Sequence, residues 1–257
     1  MLTGLIKYNQ YLSEPAKLSE LNHEQRRHRL TSMVCLSKFL GCYEEYKQQL
    51  KQHEIRWSGG NTALNGFLSI INKQHNTLPQ HVKEAWIHLD NSEQIFLKFL
   101  CTSGLRVSEA IYAFNQIIKL HTEGKLCEYY DEQLMVLQHF KYQEQFLRRT
   151  KNAFITFINK EQLQEICRCQ TVSYNRLHCR FRKLQLKLKF KSLRSYNNSF
   201  MRKQGVMSEL IELVSGRIPS SVFVRHYLGI GLDEARDQLL PLQDKLLKEL
   251  GLKNNDL

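Results

Sequence analysis

Apolar residues recur at helical spacing along most of this 257-residue chain, and a single stretch breaks the pattern. A period of three to four residues places side chains on one face of a helix, ready for burial. Leu21, Leu30, Met33, Val34 and Leu36 predict a helix over 18–40, with Gly41 as its stop. Tyr43, Tyr46 and Leu50 predict a second over 43–53. Asn61 can cap a third that carries Leu64, Phe67, Leu68 and Ile71. Residues 74–80 are polar, contain Pro79 and read as part of a linker. A second unit starts near Val82. Asp90 or Ser92 can cap a helix with Ile95, Phe96, Phe99 and Leu100, which Gly104 ends, and another runs from Val107 to about Leu120. A last apolar helix covers 232–250, where Pro241 is expected to break or kink it. The exception is 145–158. There QFLRRT and AFITFI flank Lys151 and Asn152, and the second segment is rich in β-forming residues. This predicts a β-hairpin with Lys151 at its turn. The expected fold is mainly α with a small β-hairpin (α+β), divided into a helical domain over 1–80 and a larger domain over 81–257.

Charge narrows the choice of partner. Lys and Arg number 37 against 25 Asp and Glu, a formal net charge of +12. Such a surplus attracts polyanions, nucleic acid first and an anionic membrane surface second. No long uncharged apolar run exists, so no membrane span is expected. The opening MLTGLIKYNQ has no basic stretch leading into an apolar core and does not read as a signal peptide. The expected location is therefore the cytoplasm, in association with the nucleoid. Between residues 141 and 206, Arg148, Arg149, Arg176, Arg180, Arg182 and other bases face only Glu144, Glu161 and Glu165. A solvated helix face mixes both signs, whereas one sign at this density suits a phosphate backbone. The 7 cysteines are odd in number and irregularly spaced, as expected of reduced thiols. Cys167, Cys169, His178 and Cys179 lack the paired spacing of structural zinc, so neither metal nor cofactor is expected.

Cutting DNA without a metal would need cations on the non-bridging phosphate oxygens, a nucleophile, and an acid for the leaving oxygen. Arginine suits the first task, because its planar fork stays charged and donates two parallel hydrogen bonds. Arg106 sits in TSGLRVSEA (102–110), at a Gly-marked break between two apolar helices. It could equally be a structural partner of Glu109. Lys151 follows, then Lys191 and Arg194 in KSLR, then Gly216-Arg217, and Tyr227 at the end of VRHY.

This series resembles the signature of the tyrosine recombinases, whose first box commonly reads T-G-L-R-x-S-E. The stretches FLRRTKNAFI (146–155) and GRIPSSVFVRHY (216–227) are similar to archaeal integrases, including those of spindle-shaped archaeal viruses. The resemblance covers roughly residues 18–240 and is sharpest from 95 onward. It implies a helical core-binding domain followed by a catalytic domain, closing together around a duplex. It implies Tyr227 as the nucleophile of a 3′-phosphotyrosine intermediate, with Arg106, Lys151, Lys191, Arg194 and Arg217 as the other catalytic residues. Two positions depart from the pattern: Arg217 replaces histidine or tryptophan, and Lys191 replaces histidine. The implied activity is integration and excision of a mobile element at double-stranded DNA attachment sites by a homo-tetramer. The C-terminal helix would then dock on a neighbouring subunit. In the N-terminal domain Arg26, Arg27, Arg29, Lys47, Lys51 and Arg56 are candidate phosphate contacts. Alternative readings are a chromosome-dimer resolvase, a type IB topoisomerase, or a non-catalytic DNA-binding protein on the same fold.

Overall fold

Asn22 opens the first long helix by accepting the Gln25 N–H at 2.9 Å on its side-chain oxygen, satisfying one of the donors a helix start leaves unpaired. The computed structural model describes residues 8–56, 64, 66–68, 77–148, 151–218 and 231–252. The chain divides into two compact units, Met1–Gln74 and His75–Leu257. In the first, α1 (His23–Phe39) and α2 (Tyr43–Gln52) bury Leu30, Met33, Tyr46 and Leu50 with Leu18 and Tyr11 in a small core of their own. Of the third expected helix, Leu64 and residues 66–68 are helical, and Leu64, Phe67 and Leu68 are exposed.

Two of the expected phosphate contacts in this unit are engaged in its own structure. The Arg26 guanidinium donates to the carbonyls of Leu18, Ser19 and Leu21, each at 2.9 Å, and so closes the 3-10 turn Pro15–Leu18. Arg29 donates to the Tyr11 hydroxyl and lies over the Tyr8 and Tyr11 rings. Both arginines work within their own unit, where free carbonyls and aromatic faces compete for their donors.

The second unit begins earlier than its composition suggests. Pro79, read as linker, lies in the first turn of α3 (Leu78–Trp86). Proline is at home there, since its missing N–H would be unpaired anyway. The helix buries Leu78, Val82 and Ala85. Asp90 then caps α4 (Asn91–Ser103): its carboxylate accepts the Glu93 N–H at 3.0 Å, and the Glu93 carboxylate accepts the Asp90 N–H at 3.2 Å. Gly104, in the left-handed region at φ 63°, ends α4, and α5 (Val107–Thr122) starts almost at once. Longer helices that follow among the described residues are α6 (Lys160–Cys167), α7 (Tyr174–Lys183), α8 (Phe190–Lys203), α9 (Ser208–Val214) and α10 (Leu232–Glu249). Helix α4 is the centre, packed on α5, α6, α8 and α10 around Phe96, Phe99, Leu100 and Phe114.

The β structure differs from the expected hairpin. Strands β1 (Tyr130–Asp131) and β2 (Val136–Gln138) pair with each other, and β5 (Ile155–Phe157) joins the far side of β2, all antiparallel. A separate pair joins β3 (Leu147–Arg148) to β4 (Lys151–Asn152), with Arg148 opposite Lys151. Lys151 is thus on the returning strand, and AFITFI pairs with the segment before it. Burial explains the exchange: all three residues of β5 are buried, so it pairs with apolar β2, while the polar pair Lys151-Asn152 stays at the surface edge.

Helix α10 bears on two further expectations. It continues through Pro241 without a break, and it packs on its own unit. Ala235, Leu239, Leu246 and Leu247 are buried, Gln243 Nε2 donates to the Phe157 carbonyl at 2.8 Å, and the Tyr196 hydroxyl donates to Glu249. Intramolecular packing already covers the apolar face that was assigned to a neighbouring subunit.

Candidate active site

The turn between α4 and α5 delivers Arg106. Its backbone N–H reaches Glu109 Oε2 at 3.0 Å, while its own Nη1 donates to Glu109 Oε1 at 2.7 Å and to the Asn152 carbonyl at 3.3 Å. Glu109 is 0% exposed, and it gathers two more arginines. Arg148 Nη2 donates to Oε1 at 3.1 Å, and Arg194 Nη1 lies 3.8 Å from Oε2. Three guanidinium groups therefore converge on one carboxylate, which cannot neutralise them all. Arg106 is thus a structural partner of Glu109, within a cluster of three guanidinium groups.

Arg194 arrives from α8, and the rest of that helix shows why it stands where it does. Asn197, buried, donates to the Cys101 and Thr102 carbonyls at 2.7 and 3.1 Å, tying α8 to the end of α4 beside the Arg106 turn. Ser215, just past α9, donates its hydroxyl to Asn198 Oδ1 at 3.1 Å, and its carbonyl accepts Arg194 Nη2. Arg194 Nη1 is buried without a hydrogen-bond partner among the described residues. Burial, and then the Arg106 charge, lower its pKa to about 10; Glu109 opposes that shift and Arg217 adds to it. An added anion would oppose that shift, because opposite charge favours the charged guanidinium.

Gly216 locks this corner to the hairpin. At φ +70° it ends α9 in the left-handed region, and a Cβ there would lie 1.7 Å from the Asn152 carbonyl oxygen. That oxygen is the same one Arg106 touches. Gly216→Ala is expected to lower stability by at least about 2 kcal/mol, from left-handed backbone strain and displacement of β4 together. The urea midpoint measures it; an unchanged midpoint would show that the hairpin yields freely.

Of the residues singled out from sequence, Arg106 and Arg194 meet at Glu109, and Arg217, exposed, is close enough to perturb Arg194. Lys151 is exposed on β4 next to Asn152. Lys191 is exposed in the first turn of α8, and no contact ties it to Glu109. Tyr227 lies outside the described residues. Two other residues that could serve as a proton donor near Lys151 in the sequence, His139 and Lys141, are engaged elsewhere. His139 is buried between the Tyr129 hydroxyl at 2.6 Å and the Thr156 hydroxyl at 2.8 Å, with its pKa lowered by burial to about 3. Lys141 donates to the Glu128 carbonyl at 3.0 Å. Sequence reasoning did not single out Arg148 within its basic run, and it saw Glu109 as a partner of Arg106 alone. The signal for Glu109 was its place three residues after Arg106, where a capping carboxylate sits. Nothing local marks Arg148.

A sequence profile of the archaeal phage integrases matches residues 74–235. The chain belongs to that family. This integrase is accordingly a DNA-binding protein with a role in DNA integration and recombination, and the match coincides with the unit that carries the arginine cluster. No curated protein and no solved structure compared with it matches. Among the described residues of the integrase, no helix is long and apolar enough to cross a membrane.

Proposed function

We propose that this integrase is a site-specific recombinase of the tyrosine type, which cuts and rejoins the DNA of a mobile element through a 3′-phosphotyrosine. The observation that carries the reading is the excess of guanidinium over carboxylate at Glu109, with Arg194 Nη1 buried, 3.8 Å from Glu109 Oε2 and without a hydrogen-bond partner among the described residues. A buried donor without an acceptor is costly, and a phosphodiester is the anion that this family handles. In this scheme Arg106, Arg194 and Arg217 hold the non-bridging oxygens and absorb charge in the transition state. Tyr227 Oη attacks phosphorus and the bond from phosphorus to the 5′ oxygen breaks. The phenol proton passes to water, while Lys151 Nζ supplies a proton to the leaving oxygen. A free tyrosine has a pKa of about 10, and adjacent cations favour the phenolate. Lys191 adds positive charge along the DNA. Rejoining reverses the step with a 5′ hydroxyl from the partner strand, so no external energy source is required. An N-terminal DNA-binding domain would add contacts to the duplex, four copies assembling on paired attachment sites.

The test is a randomised pool of nicked duplexes, in which cleavage beside the nick releases a short strand and traps the covalent adduct. Capture by the wild-type protein, lost in Tyr227→Phe, is expected. Binding without capture would leave a non-catalytic DNA-binding protein. The captured sequence then tests Lys151. Lys151→Ala is expected to slow adduct formation by about 10²–10⁴-fold on ordinary DNA. With sulfur replacing the leaving 5′ oxygen the rate should return to near wild type, because a thiolate departs without a proton. A defect that persists on the sulfur substrate would rule out the acid role.

A further inference from the structure

Arg148 is the member of the cluster that the scheme above leaves without a task. It pairs with Glu109 Oε1, the same oxygen that receives Arg106 Nη1, so two guanidinium groups point at one atom. Its side chain is 45% exposed and makes this single ion pair among the described residues, leaving most of its five donors open to a ligand. Its backbone is fixed as well. The Arg148 N–H donates to Asn152 Oδ1 at 3.0 Å, and the carbonyl of that same Asn152 accepts from Arg106. The hairpin therefore holds Arg148 and Arg106 through one shared residue. The register adds a second argument. Arg148 stands directly opposite Lys151 across β3 and β4. Facing residues of an antiparallel pair project on the same side of the sheet, and like charges there repel. Two cations facing each other beside two further guanidinium groups form a site with a place for an anion.

Resting on the recombinase reading, we propose that Arg148 is an additional catalytic residue: it moves from Glu109 to a non-bridging oxygen of the scissile phosphate and shares the transition-state charge with Arg106 and Arg194. Glu109 holds it ready in the free protein. The fork of Arg148 approaches the phosphodiester from the Lys151 side, where the leaving oxygen is protonated.

The experiment uses the full chain and the nicked duplex that the wild-type protein captures from the randomised pool. Arg148→Ala is expected to slow adduct formation by about 10²-fold or more at saturating DNA, as loss of one transition-state donor does, with the melting temperature little changed. Arg148→Lys keeps the charge, loses the fork and should fall between. The decisive substrate carries a methylphosphonate at the mapped cleavage position, which replaces one charged oxygen with a methyl group. On the stereoisomer lacking the oxygen that Arg148 holds, wild type and Arg148→Ala should react at nearly equal rates. Equal rates on ordinary DNA, or the same deficit on both methylphosphonate isomers, would overturn the proposal while leaving Tyr227 as nucleophile. A wild-type protein that captures nothing would instead remove the reading beneath it.

Discussion

Tyr227→Phe is expected to eliminate the covalent protein–DNA adduct while shifting DNA affinity by less than about tenfold, under ~1.4 kcal/mol. The two effects separate because they depend on different atoms. In the proposed scheme binding rests on cations: those around Glu109 and the basic run from 141 to 206. Covalent chemistry needs one oxygen nucleophile, and phenylalanine keeps the ring while removing it. Denaturing gels read the adduct, and a filter or mobility assay at fixed salt reads the affinity. Adduct that persists in the variant would move the nucleophile to another residue. Affinity that collapses would mean that the tyrosine organises the whole DNA-binding surface.

Glu109→Ala should produce the largest loss of stability of any single substitution at the site, about 3–5 kcal/mol, the range expected when a buried charge loses its partner. Arg106 would lose two hydrogen bonds, one from its backbone and one from its side chain, and Arg148 would lose its ion pair. Arg194, only 15% exposed, would keep the Ser215 carbonyl and no nearby carboxylate. Because Arg106 and Arg148 are better exposed, water offsets part of the cost, and the value should fall toward the lower end. Urea unfolding measures it. Sulfate offers a second readout: an anion that binds the uncovered guanidinium groups should raise the midpoint of Glu109→Ala more than that of the wild type. A midpoint that does not move in the variant would show that Glu109 is a spectator of the arginines.

Much of this chain was legible one helix at a time. Asp90 and Glu93 are three residues apart, and so are Arg106 and Glu109, so capping and the Arg106 turn follow from local spacing alone. The apolar rows of α4 and α5 likewise announce which face will be buried. Local reading erred where a distant partner decided the outcome. Pro79 looked like linker until the core gave Leu78, Val82 and Ala85 a surface to pack on. AFITFI looked like one arm of a hairpin until β2 offered it an apolar neighbour.

The sequence by itself determined the helical class, the basic character of the second half, and the order of the residues that resemble a recombinase's. All three depend on periodicity, composition and spacing, which a linear chain displays. Only the tertiary structure decided that Arg148 and Arg194 join the Arg106–Glu109 pair, that Gly216 presses on Asn152, and that α10 lies on its own core. Those contacts join side chains many turns apart. Their free energy comes from desolvating charge and apolar surface together, which no local stretch of sequence carries.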